Sequence, residues 1–254
     1  MAGDGAVSRV DVIWGLLAAR AAGRGAPVSV EDACALCAAM AGASGAAVTA
    51  SFRTAPGHVM CVTDELSEQL EELQLTFGEG PRVDAYTGGA PVLVPDLDDA
   101  GVASRWPAFG PAARLAGAAA VFALPLQIGV IRVGVIGLYR RQPGPLSSEQ
   151  LGNALVFADA VTVLLLDRQD PAAAGRGGTG PGGQSGLLAL HRAEIDQATG
   201  MLTEQLGVGI EEAFVRLRAY AYAHDRRLAD VAHDLVTRTL RLGPGPLPRH
   251  DGVV

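Results

Sequence analysis

The sequence predicts an α+β protein, with an antiparallel sheet flanked by helices, then a flexible linker and a small all-helical domain. Three observations carry this. Up to about residue 167, short apolar runs of strand length alternate with stretches of helical spacing. The stretch Asp170–Gly186 (DPAAAGRGGTGPGGQSG) is nearly devoid of aliphatic side chains and dense in glycine, so it gains little from burial. Beyond it, only helical spacing is found before a Pro/Gly-rich tail from Gly243.

The elements follow in order. Val10–Ala22 and Val30–Ala41 have helical spacing, the second preceded by Ser29 with Asp32 three residues on, an N-terminal cap signal. Ala46–Arg53 and His58–Thr63 read as strands joined by the turn Ala55-Pro56-Gly57. Asp64–Phe77 is helical through Leu66, Leu70 and Leu73. Pro91–Pro95 is a short strand, and Ser104–Leu115 a short helix despite Pro107 and Pro111. Two strong strands, Ala118–Leu126 and Arg132–Tyr139, join through Gly129. Leu151–Leu166 closes the domain as an amphipathic helix with Leu151, Leu155, Ala158, Val161 and Leu165 on one face.

Three helices then follow. Leu187–Leu206 sets Leu188, Ile195 and Leu202 at seven-residue intervals. Ile210–His224 buries Ala213, Phe214, Leu217 and Ala221, and Leu228–Leu240 buries Val231, Ala232, Leu235 and Val236. The expected organisation is an N-terminal helix at 1–28, a domain at 29–169, a linker at 170–186, a helical domain at 187–242 and a disordered tail at 243–254. Three helices of this size make a marginal domain alone, so partnering is expected.

With 254 residues, 49% of them hydrophobic, the chain can bury a core and is not wholly disordered. Every basic residue is arginine, which suggests a GC-rich bacterial genome. The net charge of −7 argues against a whole-protein field that attracts nucleic acid or anionic membrane, so any such site must be local. Asp4 stands where a signal peptide wants positive charge, and Asp11 and Arg20 interrupt the apolar run that follows. The apolar stretch Ala154–Leu166 is broken by Asp159 and is too short for a bilayer. A cytoplasmic protein without a membrane role is expected.

Catalytic chemistry finds little support. Cys34 and Cys37 form a C-x-x-C one helical turn apart, and with Cys61 they read better as small buried thiols than as a metal site. A cysteine-dependent redox enzyme or redox sensor is the alternative. Glu79, Asp84, Asp96, Asp98 and Asp99 sit beside turns and helix starts, where acids are favoured anyway. Neither a paired nucleophile and base nor a phosphate loop emerges, so no enzyme, metal or identifiable cofactor is expected.

The C-terminal charge is uneven. Between 216 and 241, six arginines face three aspartates, whereas acids dominate the first helix of that domain. Arg226 and Arg227 directly precede a helix N-terminus, where a bound phosphate would relieve the unfavourable placement of two cations. For Arg238 and Arg241 a helix C-terminus and an i,i+4 pair from Asp234 to Arg238 suffice. Gly200 inside a helix costs about 1 kcal/mol relative to alanine, explained by close approach of a neighbouring helix or of an RNA backbone.

The segment AEIDQATGMLTEQLGVGIEEAFVRLRAYAYAHDRRLADVAHDLVTRTL resembles an ANTAR domain, the RNA-binding antitermination module of bacterial regulators. The carrying residues are Ile195, Gln197, Ala198 and Gly200, then Glu212-Ala213-Phe214 and Leu217-Arg218, then Leu228 with Val231-Ala232. Thr199 stands where that family usually has lysine. The N-terminal part is similar to the GAF domains that precede ANTAR domains in actinobacterial proteins. There the likeness rests on Leu75–Pro81 (LTFGEGP), Asp84-Ala85, Val92–Leu97, Arg105-Trp106-Pro107, Pro125-Leu126 and Gly137–Tyr139. Arg82 replaces the cysteine that relatives often carry.

The resemblance implies transcription antitermination, in which the helical domain binds hairpins of nascent transcripts with RNA polymerase nearby. It places RNA contacts at Arg226, Arg227, Arg218, Arg216, Thr199, Gly200 and Tyr220. A homodimer is expected through the helix Leu151–Leu166 and the Leu188/Ile195/Leu202 seam. The GAF-like domain would carry a sensory or interaction role, with an unidentified small-molecule ligand left open. A scaffold that dimerises without binding RNA is the other alternative.

Overall fold

The computed structural model describes residues 8–50, 57–167 and 184–243, with side chains from Ala193 onward in the last segment. Two compact units result, Met1–Glu71 with Glu79–Gly180, and Glu72–Gly78 with Pro181–Val254. Most of the expected linker and tail, the turn before Gly57 and the end of the first expected strand lie outside the described residues.

The first unit runs α1 (Arg9–Arg24), α2 (Val30–Met40), β1 (Gly45–Ala50), β2 (His58–Val62), α3 (Glu65–Phe77, whose last turns belong to the second unit) and α4 (Pro81–Gly88). It continues with β3 (Val92–Val94), α5 (Ala100–Arg105), α6 (Phe109–Ala116), β4 (Ala120–Ile128), β5 (Ile131–Arg140) and α7 (Ser148–Asp167). The five strands form one antiparallel sheet in the order β2-β1-β5-β4-β3. An α+β sheet flanked by helices is therefore what the chain builds.

Local chemistry sets the helix ends. Ser8 caps α1 through the Val10 N–H, and Gly25 closes it in the left-handed region at φ 63°. Ser29 and Asp32 form the expected capping box on α2, and Asp32 also holds Arg20 and Arg24. All six residues of β1 are buried, since the strand is covered on both faces. One face packs α1, α2 and α7 through Leu17, Val30, Val48, Phe122, Ile136, Phe157 and Val161. The other packs α4 against β4 and β5. Gly134 is required where β5 passes β1, because a Cβ there would lie 2.3 Å from the Thr49 carbonyl oxygen. Arg140 fastens the edge of this core, donating to the Ala41 and Gly42 carbonyls and to Gln150 at the start of α7.

Several expectations need correction. The GEGP turn leads into a helix, α4, with Pro81 as its first residue, where a missing N–H costs nothing. Ser104–Leu115 is two helices, because Pro107 ends the first. The apolar run Ala154–Leu166 belongs to a twenty-residue helix long and apolar enough, by length and composition, to cross a membrane. Its residues Ala154, Phe157, Ala158, Val161 and Leu165 are packed in the core. Leu155, assigned to the same apolar face, is 43% exposed.

The second unit contains α8 (Gln184–Leu206), α9 (Ile210–Ala223) and α10 (Leu228–Val236). Its core joins Ile195, Ala198 and Leu202 to Ala213, Leu217 and Ala221 and to Leu228, Val231, Ala232 and Leu235. The Ile195/Leu202 seam, expected to face a second copy, is thus consumed within the unit: Leu202 is fully buried and Ile195 4% exposed. The third helix stops at Val236, four residues short of the expected Leu240.

Candidate functional site

The seven residues expected to contact RNA lie on the first two helices of the second unit and in the turn that leads into the third. Thr199 is buried, and its hydroxyl donates to the Ile195 carbonyl one turn back at 2.7 Å, so it presents no surface group. Gly200 lies beside it on the exposed side, and a Cβ there would meet nothing within 4 Å. Close approach of a neighbouring helix therefore does not account for this glycine. Tyr220 is half-buried and stacks on His224, ring centroids 3.9 Å apart.

Each of the four expected arginines already has a partner. Arg216 pairs with Glu212 one turn before it at 2.7 Å. Arg218 donates to the Thr76 carbonyl at 3.2 Å and lies over the Phe214 ring, 5.7 Å from its centroid. Arg226 reaches Asp234 across the start of α10 at 2.7 Å. That contact holds the Arg226 guanidinium above its ordinary range and the Asp234 carboxyl below its own. Arg227 is the N-cap residue of α10 and pairs with Glu72 at 2.7 Å. The expected Asp234–Arg238 pair is not formed, because Asp234 is turned toward Arg226.

Sequence reasoning set Arg238 and Arg241 aside. Both are exposed, and among the described arginine side chains of this unit they alone make no hydrogen bond or ion pair. His233, on the outer face of α10, receives Glu194 of α8 at 3.0 Å, which raises its pKa.

In the first unit the acidic residues of the GAF-like motifs turn out to be structural. Glu79 accepts from the N–H groups of Ala108 and Phe109, both at 2.7 Å, and so caps α6 from outside the helix. Asp84 accepts from Arg105 at 2.7 Å and from the Trp106 indole at 3.1 Å. Asp99 caps α5, and Asp98 pairs with Arg114. The motif residues thus hold one another in place.

A small cavity of about 110 Å3 lies between the sheet and α4, bounded by Thr49, Arg82, Tyr86 and Val135. Beside it the buried Glu71 carboxylate accepts from the Thr49 hydroxyl at 2.6 Å and pairs with Arg82 at 3.0 Å. This volume is far below the ~300–1,000 Å3 of ordinary ligand sites.

The three thiols, whose proximity the sequence left open, meet in the core. Cys34 and Cys37 on α2 and Cys61 on β2 are all free and buried. A hydrogen bond to Cys61 and burial raise the Cys34 thiol well above its ordinary range, and burial raises Cys37. Thiols held neutral in this way are poor nucleophiles. Tyr139, burial-shifted and bonded to Asp64, is pushed up to about 12. Among the described residues, no group of three or more His, Cys, Asp or Glu side chains is placed to hold a metal ion.

Comparison with solved structures finds several GAF domains. That of a phosphoenolpyruvate-protein phosphotransferase from Coxiella burnetii is 14% identical, covering 65% of this chain and 99% of its own at a TM-score of 0.49. The GAF domain of an Acinetobacter phosphoenolpyruvate-protein phosphotransferase is 13% identical, covering 65% and 97% at 0.47. The GAF-B domain of DevS from Mycobacterium smegmatis is 18% identical, covering 54% and 90% at 0.39. None reaches a TM-score of 0.5, so they bear on neither ligand nor activity. No curated protein matches the chain. Residues 189–236, the three helices just described, match the family model of the ANTAR domain.

Proposed function

We propose that the chain is a transcription antitermination regulator, in which a GAF-like N-terminal domain controls an ANTAR output domain that binds hairpins in nascent transcripts. The observation that supports it is the ANTAR match over 189–236, which coincides with a compact three-helix unit carrying its own closed core. Its work is binding energy diverted between alternative RNA folds, with no bond chemistry. The GAF-like domain biases exposure or pairing of that output surface.

The protein acts in the cytoplasm, as a homodimer, close to RNA polymerase, through two domains joined at 170–186. With the Ile195/Leu202 seam closed, the dimer face shifts to the first unit, where Val12 and Leu16 of α1 and Val163 of α7 remain 40–52% exposed. Arg216, Arg218, Arg226, Arg227, Gly200, Thr199 and Tyr220 lie within or beside the RNA surface. Arg226 and Arg227 would reach phosphate by exchanging Asp234 and Glu72 for it.

The test is crosslinking in cells followed by sequencing of the bound RNA. Enrichment of hairpins that precede terminators is the expected result. Recovery of no RNA above an untagged control overturns the reading and favours the dimerising scaffold.

A further inference from the structure

The fate of Asp234 redistributes the charge of the second unit. Engaged by Arg226, it leaves Arg238 and Arg241 without a carboxylate among the described residues, on a short strap that follows α10. That strap is built. The Arg238 and Leu240 N–H groups bond the Leu235 and Asp234 carbonyls at 3.1 and 3.0 Å. The Thr237 and Thr239 hydroxyls donate to the His233 and Asp234 carbonyls at 2.9 and 3.0 Å. Leu240 packs on the core, Leu242 is buried in it, and Gln205 of α8 donates to the Leu242 carbonyl. Exposed arginines thus alternate with anchored leucines.

The backbone at Arg238 is informative. Its φ is 62°, in the left-handed region just past a helix end, where glycine is favoured and a Cβ is strained. The helix C-terminus attracts a cation only weakly at an exposed site, which at most offsets that strain. An arginine at such a strained position, with no partner for its side chain among the described residues, points to an external one.

α8 is tied to α10 and to the strap at two points. His233 touches Glu194, and Leu242 touches Gln205. Gly200, on another side of α8, has an open surface, where a Cβ would meet nothing within 4 Å.

We infer that Arg238 and Arg241 are the principal phosphate contacts of the RNA surface. This rests on the RNA-binding reading above and names the residues that carry it. Arg226, Arg227 and Arg216 must each give up a carboxylate to bind phosphate, whereas Arg238 and Arg241 give up only water.

The experiment uses the full chain and one RNA hairpin selected by the wild-type protein from a library with randomised loops. Its affinity is titrated against salt for wild type, Arg238→Ala/Arg241→Ala, Arg238→Lys/Arg241→Lys and Arg226→Ala/Arg227→Ala. Each phosphate contact contributes roughly 0.7–0.9 to the slope of log K against log salt, so the Arg238/Arg241 alanine pair should flatten it by about 1.5. Affinity at low salt should fall about tenfold or more, and lysines should restore the slope. The Arg226/Arg227 alanine pair should change the slope less.

An unchanged slope in the Arg238/Arg241 alanine pair, with melting intact, overturns the inference while leaving RNA binding in place. So does a larger loss in the Arg226/Arg227 pair. Failure of the wild type to select any hairpin overturns the RNA reading itself, and this inference with it. If the alanine pair melts early, Arg238→Gly with Arg241→Gln makes the same test on a backbone that suits glycine.

Discussion

Replacing Glu79 should damage the first unit far more than its half-exposed position suggests. The N-cap residue of α6, Ala108, supplies no side-chain acceptor, and the two N–H groups at the helix start are satisfied by one Glu79 carboxylate oxygen, each at 2.7 Å. Hydrogen bonds to a charged acceptor contribute about 1.5–3 kcal/mol each, less when both share one oxygen. Glu79→Ala should therefore cost about 2–4 kcal/mol. For a unit of this size a kcal/mol moves the midpoint by roughly 2–4 °C, so a fall of about 5–12 °C is expected. Glu79→Gln keeps an acceptor oxygen without the charge and should lose about half as much. Trp106 is buried and stands edge-on to Phe109 at 5.7 Å, so in a Trp14→Phe background its fluorescence reports unfolding at this corner. A Glu79→Ala protein melting within 1 °C of its parent, or Gln and Ala behaving alike, would refute the capping argument.

Three further outcomes are expected. Leu202→Asp should abolish the cooperative melting of the helical unit seen by circular dichroism, because it drives a charge into a fully buried core position; a folded unit that merely dissociates into monomers would restore the seam to the surface. His233 has a raised pKa from Glu194, so the pair's stabilisation is complete below about pH 6.5 and is lost as pH rises through the elevated folded value. The unit should melt lower at pH 8.5 than at pH 6, and Glu194→Gln should shrink that difference. The three thiols, free and buried, should react with a thiol reagent only when the first unit unfolds, and a fast native-state phase would revive the redox alternative.

Most of the first unit was legible because its signals are local. The capping box at Ser29 and the two long strands each announce themselves within a few residues. What escaped depended on distant partners. α4 is short and polar, and its identity rests on burial of Pro81 and Ala85 against β4 and β5. Likewise the seven-residue spacing of Ile195 and Leu202 identifies an apolar face without saying whether α9 and α10 or a second chain will cover it. The charge pairing in the second unit failed for a related reason. An i,i+4 rule assigns Asp234 to Arg238, but α10 ends at Val236, Arg238 turns left-handed, and the turn before the helix delivers Arg226 instead.

The strand order carries a consequence for how the polypeptide assembles. β1–β2 and β4–β5 are hairpins, closed by neighbours in sequence, whereas the seam between β1 and β5 pairs Gly45 with Tyr139, 94 positions away. Loop closure over that distance makes the central seam the late, slow step of sheet formation. During synthesis the inner edge of β1 has no neighbour until residues beyond 140 have left the ribosome, and an apolar, fully buried strand spends that interval as an open edge. Helix α2, complete some hundred residues earlier, can cover one face of β1 in that interval, but the hydrogen-bonding edge stays open until β5 arrives.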